Sequence, residues 1–231
     1  MITAEQVAEH INPPDFYHSP LTSLVCLENT TNKGGGACYD FAEIEGIRRV
    51  CDENSLGLHL DGARLMNALV STKEDPKRYG AVFDTISLCL SKGLGTPLGT
   101  LLAGKKELME GAMRVRKILG GGMRQVGFMA AAGLYALEHH VVRLSEDHRK
   151  ASEIAKTLSK CSFIKNVEPT DTNIVIFYLD DSKNKKDFLA DLERMNIRIS
   201  SMGQGKLRVV THLDYTDEMH ERFLNILTEY A

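Results

Sequence analysis

Apolar and polar positions fall into short blocks that read as strand, helix, strand, helix, strand. Ser23-Leu-Val-Cys-Leu-Glu-Asn29 is a compact apolar run that turns polar at its C-terminal end, the pattern of a buried strand. Gly34-Gly-Gly36 marks a turn, and Asp40 is then placed to cap a helix whose apolar stripe is Phe41, Ile44, Ile47 and Val50. Leu56 to Leu60 predicts a second strand ending at Asp61-Gly62, followed by a helix with Leu65, Ala68 and Leu69 on one face. Thr85 to Leu90 predicts a third strand ending at Ser91-Lys92-Gly93, and Leu98 to Ala103 a fourth. A helix over 105–119 stops at Gly120-Gly-Gly122. Ahead of all this, residues 1–11 read as a short helix, and Pro13, Pro14 and Pro20 punctuate a loop that carries His18.

This alternation predicts a parallel sheet with helices on its faces. Ligands of such sheets bind beyond the carboxyl ends of the strands, where this chain puts Glu28-Asn29, Asp61 and Ser91-Lys92. The second part changes character. Val126 to His140 predicts an Ala-rich helix and Arg143 to Lys160 a charged amphipathic one. A strand (173–179), a helix (185–196), a hairpin-like pair (197–200 and 206–211) turned by Gly203 and Gly205, and a last helix follow. That helix starts at the N-cap Thr216 with Met219, Phe223, Ile226 and Leu227 inward. The expected organisation is a partial large domain over 1–125, linking helices over 126–150 and a small α+β domain over 151–231.

Composition narrows the partners. The 28 basic and 31 acidic side chains give a net charge of −3 with no block of like sign, which argues against nucleic acid or an anionic membrane surface. No apolar run approaches the ~18 residues of a membrane span, and no targeting signal is visible at the N-terminus. Five cysteines (26, 38, 51, 89 and 161) form no CxxC pair, so they read as reduced core thiols of a cytoplasmic protein, with no metal site.

Lys92 is the sharpest chemical feature. It follows an apolar strand within Ser-Lys-Gly-Leu-Gly, where glycines admit a ligand close to the backbone. A desolvated lysine there is a nucleophilic amine able to form a Schiff base; the plain alternative is a solvated lysine at a strand end. Asp61, one strand earlier, suits the pyridinium nitrogen of a bound cofactor, or is a turn residue before Gly62. Arg64 reaches the same place from the next helix, or lies on the surface. Lys117 and Arg124 flank Gly120-Gly-Gly122, a cationic segment suited to an anion or an intersubunit contact, or an ordinary helix stop. Arg208, inside the apolar strand Leu207-Arg-Val-Val-Thr-His212, needs a partner; a substrate carboxylate and a structural acid both qualify. His18 reads as a general base or a loop residue, and His139, His140 and His148 as solvated.

Leu58-His-Leu-Asp-Gly-Ala-Arg64, Cys89-Leu-Ser-Lys-Gly-Leu-Gly-Thr-Pro-Leu-Gly99 and Gly120-Gly-Gly-Met-Arg-Gln125 resemble the low-specificity L-threonine aldolases. The Leu27-Glu-Asn-Thr30 and Arg208-Val-Val-Thr-His212 segments are similar too, in the same order, so the resemblance covers essentially the whole chain. It implies an α/β, transferase-like fold of type I, with pyridoxal 5'-phosphate as cofactor and a small C-terminal α+β domain. The implied reaction is retro-aldol cleavage of threonine or allo-threonine to glycine and acetaldehyde, in a homodimer or homotetramer. Lys92 then carries the cofactor, Asp61 faces its ring nitrogen, Arg64 lies near the cofactor hydroxyl and the substrate carboxylate, and Arg208 grips that carboxylate. Lys117 and Arg124 reach the cofactor of a neighbouring subunit, and His18 acts at the β-hydroxyl. Residue 31 is Thr where the family usually has His. Residues 1–22 supply neither the family's Gly-Thr phosphate cradle nor its ring-stacking histidine, as expected for a fragment, an alternative start or a degenerate copy. Another type I lyase, β-eliminating, is the alternative from the same chemical class. A catalytically dead paralogue acting only through subunit contacts is the alternative from a different one.

Overall fold

The computed structural model describes residues 1–203 and 205–230 as two four-stranded sheets joined by one long helix. In the first sheet, β1 (Leu24–Glu28), β2 (Gly57–Gly62), β3 (Thr85–Cys89) and β4 (Thr100–Gly104) lie side by side in sequence order. β1, β2 and β3 are parallel, as expected, but β4 runs antiparallel to β3. Only residues 90–99 separate them, and a parallel return needs a crossover of about a dozen residues or more.

Short helices build the first core: α1 (Ala4–Glu9), α2 (Phe41–Glu53), α3 (Leu65–Thr72) and α4 (Pro76–Val82). Asp40 caps α2 by accepting from the Ala42 amide, and Phe41, Ile44, Ile47 and Cys51 form its buried stripe. With Tyr79 and Phe83 they cover Val25, Leu27, Leu58 and Leu60 of the sheet. The opposite face of β1 leaves Leu24 and Cys26 exposed, which corrects the reading of Cys26 as a core thiol. Cys38 and Cys89 are half-buried, and only Cys51 and Cys161 are buried. The sequence reading passed over α4, although Asp75 is its N-cap and Pro76 its first residue.

After β4 comes α5 (Lys106–Ile118), none of whose residues is buried. It ends where the Gly121 amide reaches back to Arg116 O and Gly120 takes a positive φ of 82°. The two helices expected next are one, α6 (Gly127–Leu158), of 32 residues. Nothing between them breaks the backbone, because residues 141 and 142 are both valine. The first half of α6 packs Ala136 and Leu144 against Leu90 and Leu94. Its second half lays Ala151, Ile154 and Leu158 on the second core.

The second sheet has the order β5-β6-β8-β7 and is antiparallel throughout. It comprises β5 (Ile164–Val167), β6 (Ile174–Leu179), β7 (Ser200–Gly203) and β8 (Lys206–Val210), with helices α7 (Lys185–Arg194) and α8 (Asp217–Tyr230). β5 is absent from the sequence reading because only its two end residues, Ile164 and Val167, are apolar and both are merely half-buried. On α8, Met219 faces solvent and His220 is buried instead. The His220 ring lies 2.7 Å from a Glu153 carboxylate oxygen, so a polar side chain occupies an inward position where an apolar one is expected.

Asp84 ties the first sheet together just before β3. It accepts from the Leu58 amide (2.8 Å), Arg48 (2.9 Å) and Lys105 (2.9 Å). Burial opposes the charge, but the Leu58 amide, Lys105 and Arg48 together hold the carboxyl down at about 2. Asp84→Asn should therefore destabilise the chain at neutral pH by about 1 kcal/mol, screening of a part-exposed group included. Since the folded-state value is depressed, this contribution is full above the ordinary 3.8 and fades as pH falls towards about 2. Denaturant melts of both proteins at about pH 7 and pH 3 check this; a gap that widens in acid would contradict it.

Candidate active site

The parallel strands deliver polar groups to one end of the first sheet. Glu28 is in register with Asp61, and Asp61 with Ser87. Asp61 Oδ1 accepts from the Ala63 amide at 3.0 Å, a turn that leads directly into α3, where Arg64 is the N-cap residue. Lys92 follows β3, so Asp61 and Lys92 stand at the same end of adjacent strands, as their spacing predicts.

The loop carrying Lys92 is tightly built. Leu90 N donates to Gly99 O (2.9 Å), Thr96 N to Leu90 O (3.2 Å) and Gly95 N to Lys92 O (2.9 Å). Gly95 has φ 72°, a backbone conformation that favours glycine. Its other anchor is α6: His140 Nδ1 donates to Leu94 O at 2.7 Å. A carbonyl only accepts, so this nitrogen carries the proton. The Lys92 side chain itself is exposed; the desolvation expected of it is not supplied by the residues around it here.

Arg208 comes from the other sheet. It lies opposite Ile176 on β6 and Ser200 on β7, and its Nη1 donates to Asn32 Oδ1 at 2.8 Å. Its Nε is buried without a hydrogen-bond partner. A cavity of about 460 Å³ opens beside it, walled by Ile197, Ile199, Val210, Tyr215 and Phe223. Arg64 is half-buried. Burial lowers its pKa below the ordinary guanidinium range and the like charge of Arg208 adds to this, against the opposing pull of Glu28, Cys89 and Asp61. Among the described residues neither Arg64 nor Arg208 is in an ion pair, whereas Arg48, Arg143 and Arg149 all are. Two neighbouring guanidiniums with no carboxylate bonded to either form a site for an anion that both can grip.

The structure thus brings together Asp61, Arg64 and Arg208, with Lys92 at the same sheet end. Three other sequence candidates lie apart. His18 is exposed and lies tilted against Tyr17, ring centroids 4.0 Å apart. Lys117 and Arg124 are exposed around the end of α5. None of the three makes a hydrogen bond or ion pair with the strand-end residues among those described. No cluster of His, Cys, Asp and Glu suited to a metal occurs among the described residues.

Sequence reasoning missed Asn32 and misjudged His140 and His148, which are half-buried rather than solvated. His148 Nε2 lies 3.0 Å from Asn67 Oδ1, and burial lowers its pKa. The signal for His140 was available: Gly133, Ala136, Leu144 and Asp147 are a buried stripe of α6 at helical spacing, and His140 falls on it.

Residues 1–182 match the sequence model of the beta-eliminating lyases. The chain belongs to the beta-eliminating lyase family. Within that family it is similar to the low specificity L-threonine aldolase of Escherichia coli (strain K12). The two are 38% identical over 214 residues, which cover 93% of this chain and 62% of that protein. It is also similar to low-specificity L-threonine aldolase 1 of Arabidopsis thaliana, 35% identical over 204 residues, or 87% of this chain and 56% of that one. The chain therefore spans less than two thirds of the length of these relatives. The threonine aldolase structure from Leishmania major superposes with a TM-score of 0.81 at 21% identity, covering 99% of this chain and 67% of that chain. The fold is thus the type I α/β fold seen in threonine aldolases, with a parallel sheet closed by one antiparallel strand and a small antiparallel sheet beside it.

If Arg64 awaits an anion rather than serving the fold, Arg64→Met should keep the packing of its stem and lose only an unmated, desolvated charge. Its stability in denaturant should equal or slightly exceed that of wild type. A loss above about 1 kcal/mol, typical of breaking a structural ion pair or hydrogen bond, would contradict this.

Proposed function

We propose that this chain supplies the Schiff-base lysine and carboxylate-binding groups of a pyridoxal-phosphate-dependent lyase. The substrate is a β-hydroxy-α-amino acid, threonine or allo-threonine, cleaved between Cα and Cβ to glycine and an aldehyde. One observation carries the reading: Arg64 and Arg208, neither in an ion pair among the described residues, lie within each other's electrostatic reach at the sheet end that holds Asp61 and Lys92. The buried, unpartnered Arg208 Nε is a donor for which the described residues provide no acceptor.

Lys92 would hold the cofactor through its amine and Asp61 would face its ring nitrogen; when bound, the group provides a sink for the electron pair of the breaking bond. The chain's own residues do the rest. Arg208 and Arg64 bind the substrate carboxylate and so fix which Cα bond stands ready to break, an orientation effect worth several kcal/mol in general. His18 is assigned to accept the β-hydroxyl proton. Lys117 and Arg124 are assigned to the cofactor region of a neighbouring subunit, which agrees with their exposure on this chain.

The family's description supports a second reading, β-elimination. Supplied with cofactor, the protein should turn L-threonine into acetaldehyde and glycine in equal amounts; a 2-oxo acid and ammonia from serine or threonine would instead favour elimination. In the same assay Arg208→Lys should raise KM for threonine about 10- to 100-fold, the equivalent of losing one charge-assisted bond of about 1.5–3 kcal/mol. An unchanged KM with a lower Tm would remove Arg208 from the site.

A further inference from the structure

Resting on the assignment of Arg208 to a substrate carboxylate, we infer that Asn32 is the positioning residue of that subsite. Its neutral side-chain oxygen holds the Arg208 guanidinium in place without cancelling its charge. Arg208 Nη1 donates to Asn32 Oδ1 at 2.8 Å, and no other hydrogen bond is made by this guanidinium among the described residues. A carboxylate at the same place would hold the side chain more strongly, since it adds the attraction of opposite charges and can accept two parallel N–H bonds. It would also occupy the donors that a ligand needs. An amide oxygen fixes the geometry with one donor and leaves the remaining donors and the whole positive charge available.

Asn32 also stands between groups of opposite charge. Its backbone amide donates to Glu28 Oε2 at 3.0 Å while its side chain holds Arg208. Glu28 is thereby engaged by a peptide N–H, and it forms no ion pair with either arginine among the described residues. The loop bearing Asn32 is stiff enough for the task. Thr31 N donates to Ala37 O (3.1 Å) and Gly36 N to Thr31 O (2.8 Å), closing a tight turn. A residue that places another by one neutral bond from a rigid loop is a specificity device, because the charge it leaves free selects ligands that carry a carboxylate.

The test is a glycine titration of the full-length chain, followed by the backbone amide resonances of residues 207–211. Wild type is compared with Asn32→Asp, Asn32→Ala and Arg208→Lys, and the melting temperature of each is measured alongside. Asn32→Asp keeps the shape and the acceptor but adds a charge, so glycine affinity should fall at least tenfold while the variant stays folded. Asn32→Ala frees the guanidinium and should weaken binding several-fold. If Arg208→Lys weakens glycine binding but both Asn32 variants bind like wild type, the inference about Asn32 is overturned and the carboxylate assignment survives. If wild type gives no response, or Arg208→Lys binds equally well, the assignment of Arg208 fails and this inference fails with it.

Discussion

The strand-end site depends on a clamp that the loop leaving β1 and helix α3 make with the turn ahead of β6 in the second sheet. Thr172 is fully buried and its hydroxyl donates to Gly36 O at 2.8 Å, while the Ser71 hydroxyl donates to Asp171 O at 3.0 Å. Gly36 has φ 77°, and a Cβ there would lie 2.5 Å from Thr172 Oγ1. The approach of loop to sheet therefore exists only with glycine at this position. Cys38, beside the clamp, has its thiol pushed up to about 12 by burial and then by Asp171, with only a small opposing effect of the nearby Ser71 hydroxyl, so it stays neutral and inert. Together with α6, packed on both parts of the chain, this contact brings the loop bearing Asn32 to Arg208 of the second sheet.

What the clamp assembles runs against the usual economy of charge. The other half-buried arginines are mated: Arg143 donates to the buried Asp147, and Arg48 to Asp84. At the strand ends the charge of Arg208 acts on Arg64, whose own charge burial already disfavours. Unmated charges in low dielectric are destabilising unless a ligand completes them. Such a site holds affinity in reserve: stability given up in the free chain is recovered when a carboxylate arrives. The same logic explains why a neutral Asn32, and not an acid, touches Arg208.

Much of the first sheet was legible because its strands and helices have their own periodicities and caps. Phe41, Ile44 and Ile47 repeat at helical spacing behind the N-cap Asp40, and the strand ends at Asp61 and Cys89 fall where polar residues interrupt apolar runs. The motifs around Asp61 and Lys92 supplied the fold. The direction of β4 was decided by loop length and not by its own residues, and the single helix α6 by the absence of a break at Val141-Val142. Pairs distant in sequence were the least visible. The Asn32–Arg208 bond spans 176 positions, and the His140 bond to Leu94 spans 46; helical periodicity turns His140 inward, but no local pattern names the partner in either bond. Polar residues that serve the interior, such as His220 paired with Glu153, look like surface residues until their partners are known.

The central claim is that the ends of β2 and β3, with the loop fixed by Gly95 and His140, present one particular lysine to a cofactor aldehyde. Borohydride reduction of the protein with added pyridoxal phosphate, followed by peptide mass spectrometry, tests it most directly. The account predicts a single stoichiometric pyridoxyl adduct on Lys92 that disappears in Lys92→Ala and is not transferred to another residue. Adducts spread over exposed lysines such as Lys117, with Lys92 unmodified, would contradict it.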